Sequence, residues 1–130
     1  LYFVSDMPGG QGGTDIWYSV KLAGEWTAPT NAGSTINTPG NESFPFVNAQ
    51  NVLYFSSDWH PGLGGLDIFY IHLSKDKSDG VTNAGVPINS TADDYGIVSY
   101  KSTLSGYLTS NRDSEKGEGN LYFFWDKSLD

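Results

Sequence analysis

The residues best placed to do chemistry lie in a glycine-rich loop at residues 57–70, SDWHPGLGGLDIFY, where two aspartates bracket a histidine and three glycines. A loop of this kind can cradle a phosphate, or hold a calcium ion through carboxylate and carbonyl oxygens. A closely matching loop, SDMPGGQGGTDIWY, occupies residues 5–18. Because a structural unit is duplicated more readily than a binding site, the second copy favours a structural role.

Both ion-binding patterns are incomplete in this loop. A phosphate loop needs Gly-Lys followed by Ser or Thr at the start of a helix, and neither lysine nor helix is indicated here. The calcium pattern G-G-x-G-x-D is missed because Gln11 and Leu63 stand where its second glycine belongs. That pattern also works through short tandem repeats. We therefore predict a glycine-rich hairpin with no metal and no cofactor, and calcium binding stays open as the alternative.

Four aspartates have predicted structural roles in the two hairpins. Asp6 and Asp58 are expected to accept hydrogen bonds from the backbone of the turn. Asp15 and Asp67 are expected to begin the strand that follows. Glycine would supply the positive φ angles that tight hairpins require.

No residue of the chain is predicted to be catalytic. The serines lack a G-x-S-x-G elbow, and neither histidine has a counterpart in the other copies of the repeat. The adjacent Asp93 and Asp94 align with Glu42 and Ser43, which indicates turn chemistry and not a pair of glycosidase carboxylates. The chain is therefore predicted not to be an enzyme.

Three loop residues are predicted contacts for a partner or ligand, namely Trp59, His60 and Arg112. Trp59 and His60 are adjacent, so together they could line a pocket. Stacking of a sugar on Trp17, Trp59 or Trp125 is an alternative use of the tryptophans. The other aromatic residues are predicted to pack between neighbouring units.

Composition argues against several kinds of partner. Fifteen acidic residues against seven basic ones give a net charge of -8, a field that repels nucleic acid and anionic membrane surfaces. The absence of cysteine removes disulfides and thiolate chemistry. No apolar run approaches the roughly 18 residues that a membrane helix needs. Neither a nucleic-acid partner nor direct membrane insertion is predicted.

Sequence landmarks recur at a spacing of 52 residues. LYFVSD recurs as LYFSSD, DIWY as DIFY, and the NAG and Ile-Asn pairs each occur twice in the same register. GYLTSN and NLYFF form a fainter third copy, 53 residues beyond the second. The chain is thus predicted to be one partial domain, residues 1–130, with units of about 1–52, 53–105 and 106–130.

Each unit is predicted to be a meander of four short antiparallel strands. Runs such as VLYFSS and DIFYIHL are rich in aromatic and β-branched residues, and glycine, proline, asparagine and aspartate bound them. A period of about 50 residues with four strands is typical of a propeller blade. The predicted fold is all-β, a β-propeller segment of about two and a half four-stranded blades that opens on a second strand.

These motifs resemble the WD-like β-propeller repeat of the Pro-Asp type found in TolB-like proteins. The combination of LYFSSD, a Pro-Gly-Gly loop, GG-x-DIFY, NAG and NESFPFV is most similar to large OmpA-family envelope proteins of Bacteroidetes, as is the SNR loop at residues 110–112. In the second unit SKDKSDGVTNAG replaces the W-x-x-P element, so a looser connection is expected there.

The resemblance implies a non-catalytic scaffold or protein-interaction module in the periplasm, associated with the outer membrane. It implies other envelope proteins and the remainder of its own propeller as partners, with links to peptidoglycan or type IX secretion. The alternatives are a propeller that binds glycan or peptide with or without calcium, and a propeller that gates a separate catalytic domain. Because an incomplete propeller exposes apolar faces, the segment alone is expected to be poorly soluble or oligomeric.

Overall fold

The computed structural model describes residues 1–73, 80–99 and 105–125. Within these residues the chain forms β-strands and no α-helix, which confirms the all-β prediction. The described part of the chain accordingly holds no helix long and apolar enough to cross a membrane. The strands are β1 (Tyr2–Ser5), β2 (Asp15–Tyr18), β3 (Lys21–Leu22), β4 (Glu25–Trp26), β5 (Thr30–Asn31), β6 (Glu42–Val47), β7 (Val52–Ser57), β8 (Asp67–His72), β9 (Thr82–Asn83), β10 (Asp94–Ser99), β11 (Ser105–Ser110) and β12 (Asn120–Trp125).

The strands form three successive antiparallel sheets and one small hairpin. Sheet 1 has the order β1-β2-β5, sheet 2 the order β6-β7-β8-β9, and sheet 3 the order β10-β11-β12. The hairpin of β3 and β4 stands between β2 and β5 along the chain. Four strands are seen in sheet 2 alone among the described residues. The predicted loose connection spans residues 74–85, of which residues 74–79 lie outside the described residues and Thr82–Asn83 form β9.

The boundaries of the sheets do not coincide with the boundaries of the sequence repeat units, which were counted from the first residue. β6 belongs to the first unit but pairs with β7 of the second, with Glu42 opposite Ser57 and Val47 opposite Leu53. β10 likewise pairs with β11, with Asp94 opposite Ser110. A sheet therefore begins with the strand that closes the preceding sequence unit.

Most residues of β7 and β8, the two middle strands of sheet 2, are buried, as suits strands made of aromatic and β-branched residues. Leu53 and Phe55 in β7 and Ile68 in β8 are completely buried. Burial of one such side chain contributes about 2 kcal/mol to folding. One apolar cluster joins sheets 1 and 2 through Ile16, Ile36, Leu53, Phe55, Phe69 and Ile71. A smaller cluster of Ile68, Ile97 and Leu108 joins sheets 2 and 3.

The first strand of a sheet also contacts the preceding sheet. β6 lies against β1 and β2, and β10 lies against β6, β7 and β8. Both first strands carry an irregularity at the same place, where Phe44 and Gly96 adopt φ angles of 54° and 66°. Glycine accepts this conformation freely, whereas phenylalanine does so at a steric cost.

Candidate functional site

The loop between successive sheets contains an asparagine that forms the same two hydrogen bonds in both copies. At the first junction, between sheets 1 and 2, the Ile16 N–H donates to Asn37 Oδ1 at 2.7 Å, and Asn37 Nδ2 donates to the Ile16 carbonyl at 2.8 Å. At the second junction, between sheets 2 and 3, Asn89 makes the same bonds with Ile68 at 2.7 and 2.8 Å. Both asparagines are buried.

A second asparagine supports each of these side chains. Asn31 Oδ1 accepts hydrogen bonds from Asn37 Nδ2 and from the Gly33 N–H, both at 2.9 Å. Asn83 does the same in the second copy at 2.9 and 2.7 Å. Because these amides are paired with backbone and with each other, they hold the loop after β5 against β2 and the loop after β9 against β8.

The first junction places a buried carboxylate at the start of β6. Glu42 is 0% exposed and is held by neutral donors. The Thr38 N–H donates at 2.9 Å, and the Thr38 and Ser57 hydroxyls donate at 2.5 and 2.8 Å. Among the described residues no Lys or Arg pairs with this carboxylate.

The second junction places Asp94 at the same position but supplies a cation. Ser90 donates from its N–H at 2.6 Å and from its hydroxyl at 2.9 Å. The Arg112 guanidinium adds an ion pair to Asp94 at 2.8 Å and hydrogen bonds to the Pro87 and Ile88 carbonyls at 2.8 and 2.6 Å. Arg112 thus acts as a cross-link within the junction.

His60 takes over one of these arginine contacts at the first junction. Its Nε2 lies 2.7 Å from the carbonyl of Ile36, which corresponds to Ile88 in the next copy. Its ring packs edge-on to Phe55 and beside Phe69, at centroid distances of 5.9 and 5.3 Å. As an acceptor carbonyl requires a donor, His60 carries a proton on Nε2 here.

The glycine-rich loop turns the chain and also docks against the next sheet. A Cβ at Gly12 would overlap the carbonyl of Thr38, and a Cβ at Gly64 would overlap the carbonyl of Ala92. Glycine is therefore required by close backbone approach at these two positions. The expected positive φ is found at Gly9 in the first loop, but at no glycine of the second loop.

The aspartates of the loop divide the work differently from the prediction. Asp15 and Asp67 do begin β2 and β8, and they also hold the turn, since Asp67 Oδ2 accepts from the Leu63 and Gly64 N–H groups at 2.8 and 3.0 Å. The Gln11 N–H donates to Asp15 in the same way. Asp58 does not bond its own turn.

Asp58 instead accepts hydrogen bonds from Asn41, at 2.7 Å from its N–H and 2.9 Å from its Nδ2. The hydrogen bonds also correct the alignment of the acidic pair. Asp94 corresponds to Glu42, because their N–H groups donate to the Leu66 and Thr14 carbonyls, both at 2.8 Å. Asp93 corresponds to Asn41.

The second junction leaves an open aromatic cleft of about 740 Å³. Besides the tyrosines, the polar residues that line it are Arg112 and Ser99. Within the described residues the Ser99 hydroxyl is buried without a hydrogen-bond partner. Its lining consists of Tyr54, Tyr70, Ala84, Pro87, Ile88, Ile97, Ser99, Leu108, Arg112, Tyr122, Phe123, Phe124 and Trp125.

Two positions of the cleft carry smaller side chains than the equivalent positions of the first junction. Phe55 and Val47 pack into the cluster at the first junction. Their counterparts in the second copy are Leu108 and Ser99, both of which line the cleft. Loss of a ring and of two methyl groups leaves space that close-packed interiors otherwise fill.

Two tyrosines of the cleft, Tyr54 and Tyr122, have pKa values above the usual value of a phenol. Burial raises the pKa of Tyr54, and the neighbouring Tyr70, at a ring distance of 5.7 Å, raises it further. Tyr2 has the same shift for the same reasons, with Tyr18 as its neighbour. The hydrogen bond from the Tyr122 hydroxyl to Asp113 Oδ2, 2.9 Å long, raises the pKa of Tyr122. These phenols are therefore neutral hydrogen-bonding groups at pH 7.

The three predicted contact residues do not form one site. Trp59 is 60% exposed, His60 bonds to the Ile36 carbonyl at the first junction, and Arg112 lies at the second junction. Of the tryptophans considered for sugar stacking, Trp17 is buried at 6% exposure and offers no open face, while Trp125 lines the cleft.

Sequence reasoning noted the asparagines and carboxylates of the junctions only as landmarks. The available signal was their exact recurrence, since Ile-Asn and NAG appear twice in register. No set of three His, Cys, Asp or Glu residues that could hold a metal ion is found in the described ranges. Comparison of the chain with protein-family models, curated proteins and solved structures gives no match.

Proposed function

We propose that the chain is a segment of a WD-like β-propeller of the Pro-Asp type, and that it serves as a non-catalytic scaffold and docking module. The single observation that carries the proposal is the repeated junction. In both copies an Asn-to-Ile clamp holds the loop between two sheets to the preceding sheet, and a buried carboxylate holds that loop to the first strand of the next sheet. Equal connections give equal rotations between neighbours, which is the geometric requirement of a repeat array.

The exposed outer face of sheet 3 supports the same proposal. Leu121 follows the first residue of β12, as Ile16 and Ile68 follow the first residues of β2 and β8. Ile16 and Ile68 are completely buried by the next sheet, whereas Leu121 is 71% exposed. Phe123 is 53% exposed on the same strand. A further sheet would cover this apolar surface.

Within this proposal the strands hold the loops rigidly and the loops present the contacts. The location in a Gram-negative envelope, with other envelope proteins as partners and links to peptidoglycan or type IX secretion, rests on the motif resemblance. The structure of the complete gene product tests the arrangement. We expect successive four-stranded sheets arranged about one axis, and a continuous sandwich would contradict the proposal.

The 130-residue chain gives a second test in solution. Because both ends leave apolar strands uncovered, we expect it to self-associate, and adding the flanking sheets should give a monomer. Light scattering coupled to size-exclusion chromatography measures the mass. A monomeric chain that melts in one sharp transition would count against an open-ended segment.

A glycan- or peptide-binding propeller is the second candidate, and the aromatic cleft favours it. Tyr54, Tyr70 and Trp125 line one space, and their rings are suited to stacking while phenol hydroxyls can form hydrogen bonds. Calorimetry with muropeptides, with and without calcium, distinguishes the candidates. A stoichiometric heat that Tyr70→Ala abolishes would support the binder, and an EDTA-sensitive heat would add calcium to it.

A further inference from the structure

We draw no further inference here: the strongest candidate, the partly exposed aromatic patch that Phe44 and Tyr95 form where β6 meets β10, carries none, because nothing in the described residues shows what covers it.

Discussion

The two junctions solve one packing problem with different side chains. Both bury an acidic residue at the start of the first strand, but Glu42 is surrounded by hydroxyls and a backbone N–H while Asp94 has Arg112. The first junction compensates with His60 on the Ile36 carbonyl and a large apolar cluster. The second has a small cluster and the aromatic cleft.

The difference shows that the hydrogen bonds between asparagine and the isoleucine backbone can stay the same while the apolar and ionic contacts of the junction change. The asparagine clamp is the same at both places to within 0.1 Å. The first junction has the larger apolar cluster, whereas the second has a smaller cluster together with an ion pair and charged hydrogen bonds. The variants below would break or sharpen this division, in order of decreasing effect.

The largest effect is expected at the shared clamp. Asn37→Ala and Asn89→Ala each leave the N–H of a buried isoleucine without a partner, although its carbonyl keeps the hydrogen bond from the N–H of Ala32 or Ala84. We expect a cost of about 3 kcal/mol in the free energy of unfolding. Urea denaturation followed by circular dichroism measures it. The two values should agree within about 1 kcal/mol. A loss at one junction alone would show that the clamp is not the common element.

Arg112→Met should cost about 2 kcal/mol, because Asp94 stays buried without its cation. The estimate is below that of a fully buried pair, since 22% of the arginine side chain is exposed to screening by water. His60→Leu removes a neutral hydrogen bond and should cost only about 1 kcal/mol. Urea denaturation of both variants compares them. A larger loss of unfolding free energy in His60→Leu than in Arg112→Met would contradict the greater contribution assigned to the Arg112 ion pair.

Exchanging the apolar side chains at the equivalent positions 55 and 108 should change the stability in opposite directions. Leu108→Phe places a ring into the cleft and should stabilise the protein by about 1 kcal/mol, whereas Phe55→Leu should destabilise it by about 1.5 kcal/mol. Thermal unfolding measures both. Leu53→Phe is the control, as it adds the same volume at a completely buried position of the first junction and should destabilise. Destabilisation by Leu108→Phe would mean that the cleft cannot accept a ring.

The smallest effect is expected at alkaline pH, where the junctions should behave alike. Tyr2 and Tyr54 have raised pKa values in the folded state. The stability that their neutral forms contribute is complete below the unfolded pKa of about 10 and is lost as pH rises through the folded pKa. Tyr2→Phe and Tyr54→Phe should each flatten the fall in unfolding free energy above pH 10. An unchanged slope in both would remove the phenols as its cause.

Part of this structure follows from the repeat in the sequence. The alternation of aromatic and β-branched residues in VLYFSS and DIFYIH predicts strands, and β7 and β8 lie there. Asp15 and Asp67 begin strands as expected. The roles of Asp6 and Asp58 could not be predicted, because their partners come from a segment 17 residues away in sheet 2 and are lacking for sheet 1 within the described residues.

The candidate site was less accessible to sequence reasoning. Arg112 was predicted as a contact for a partner, yet its donors are used within the second junction. The cleft depends on Leu108 and Ser99 standing where the first junction has Phe55 and Val47. Each of these residues is ordinary in a strand, and only their meeting across two sheets makes a cavity.

The sequence by itself determined the all-β class and the 52-residue repeat, because strand periodicity and turn residues are local properties of the chain. The tertiary structure alone decided which residues join the sheets and where space is left between them. Burial, ion pairing and cavity volume depend on side chains from different sheets, which the order of residues along the chain does not bring together.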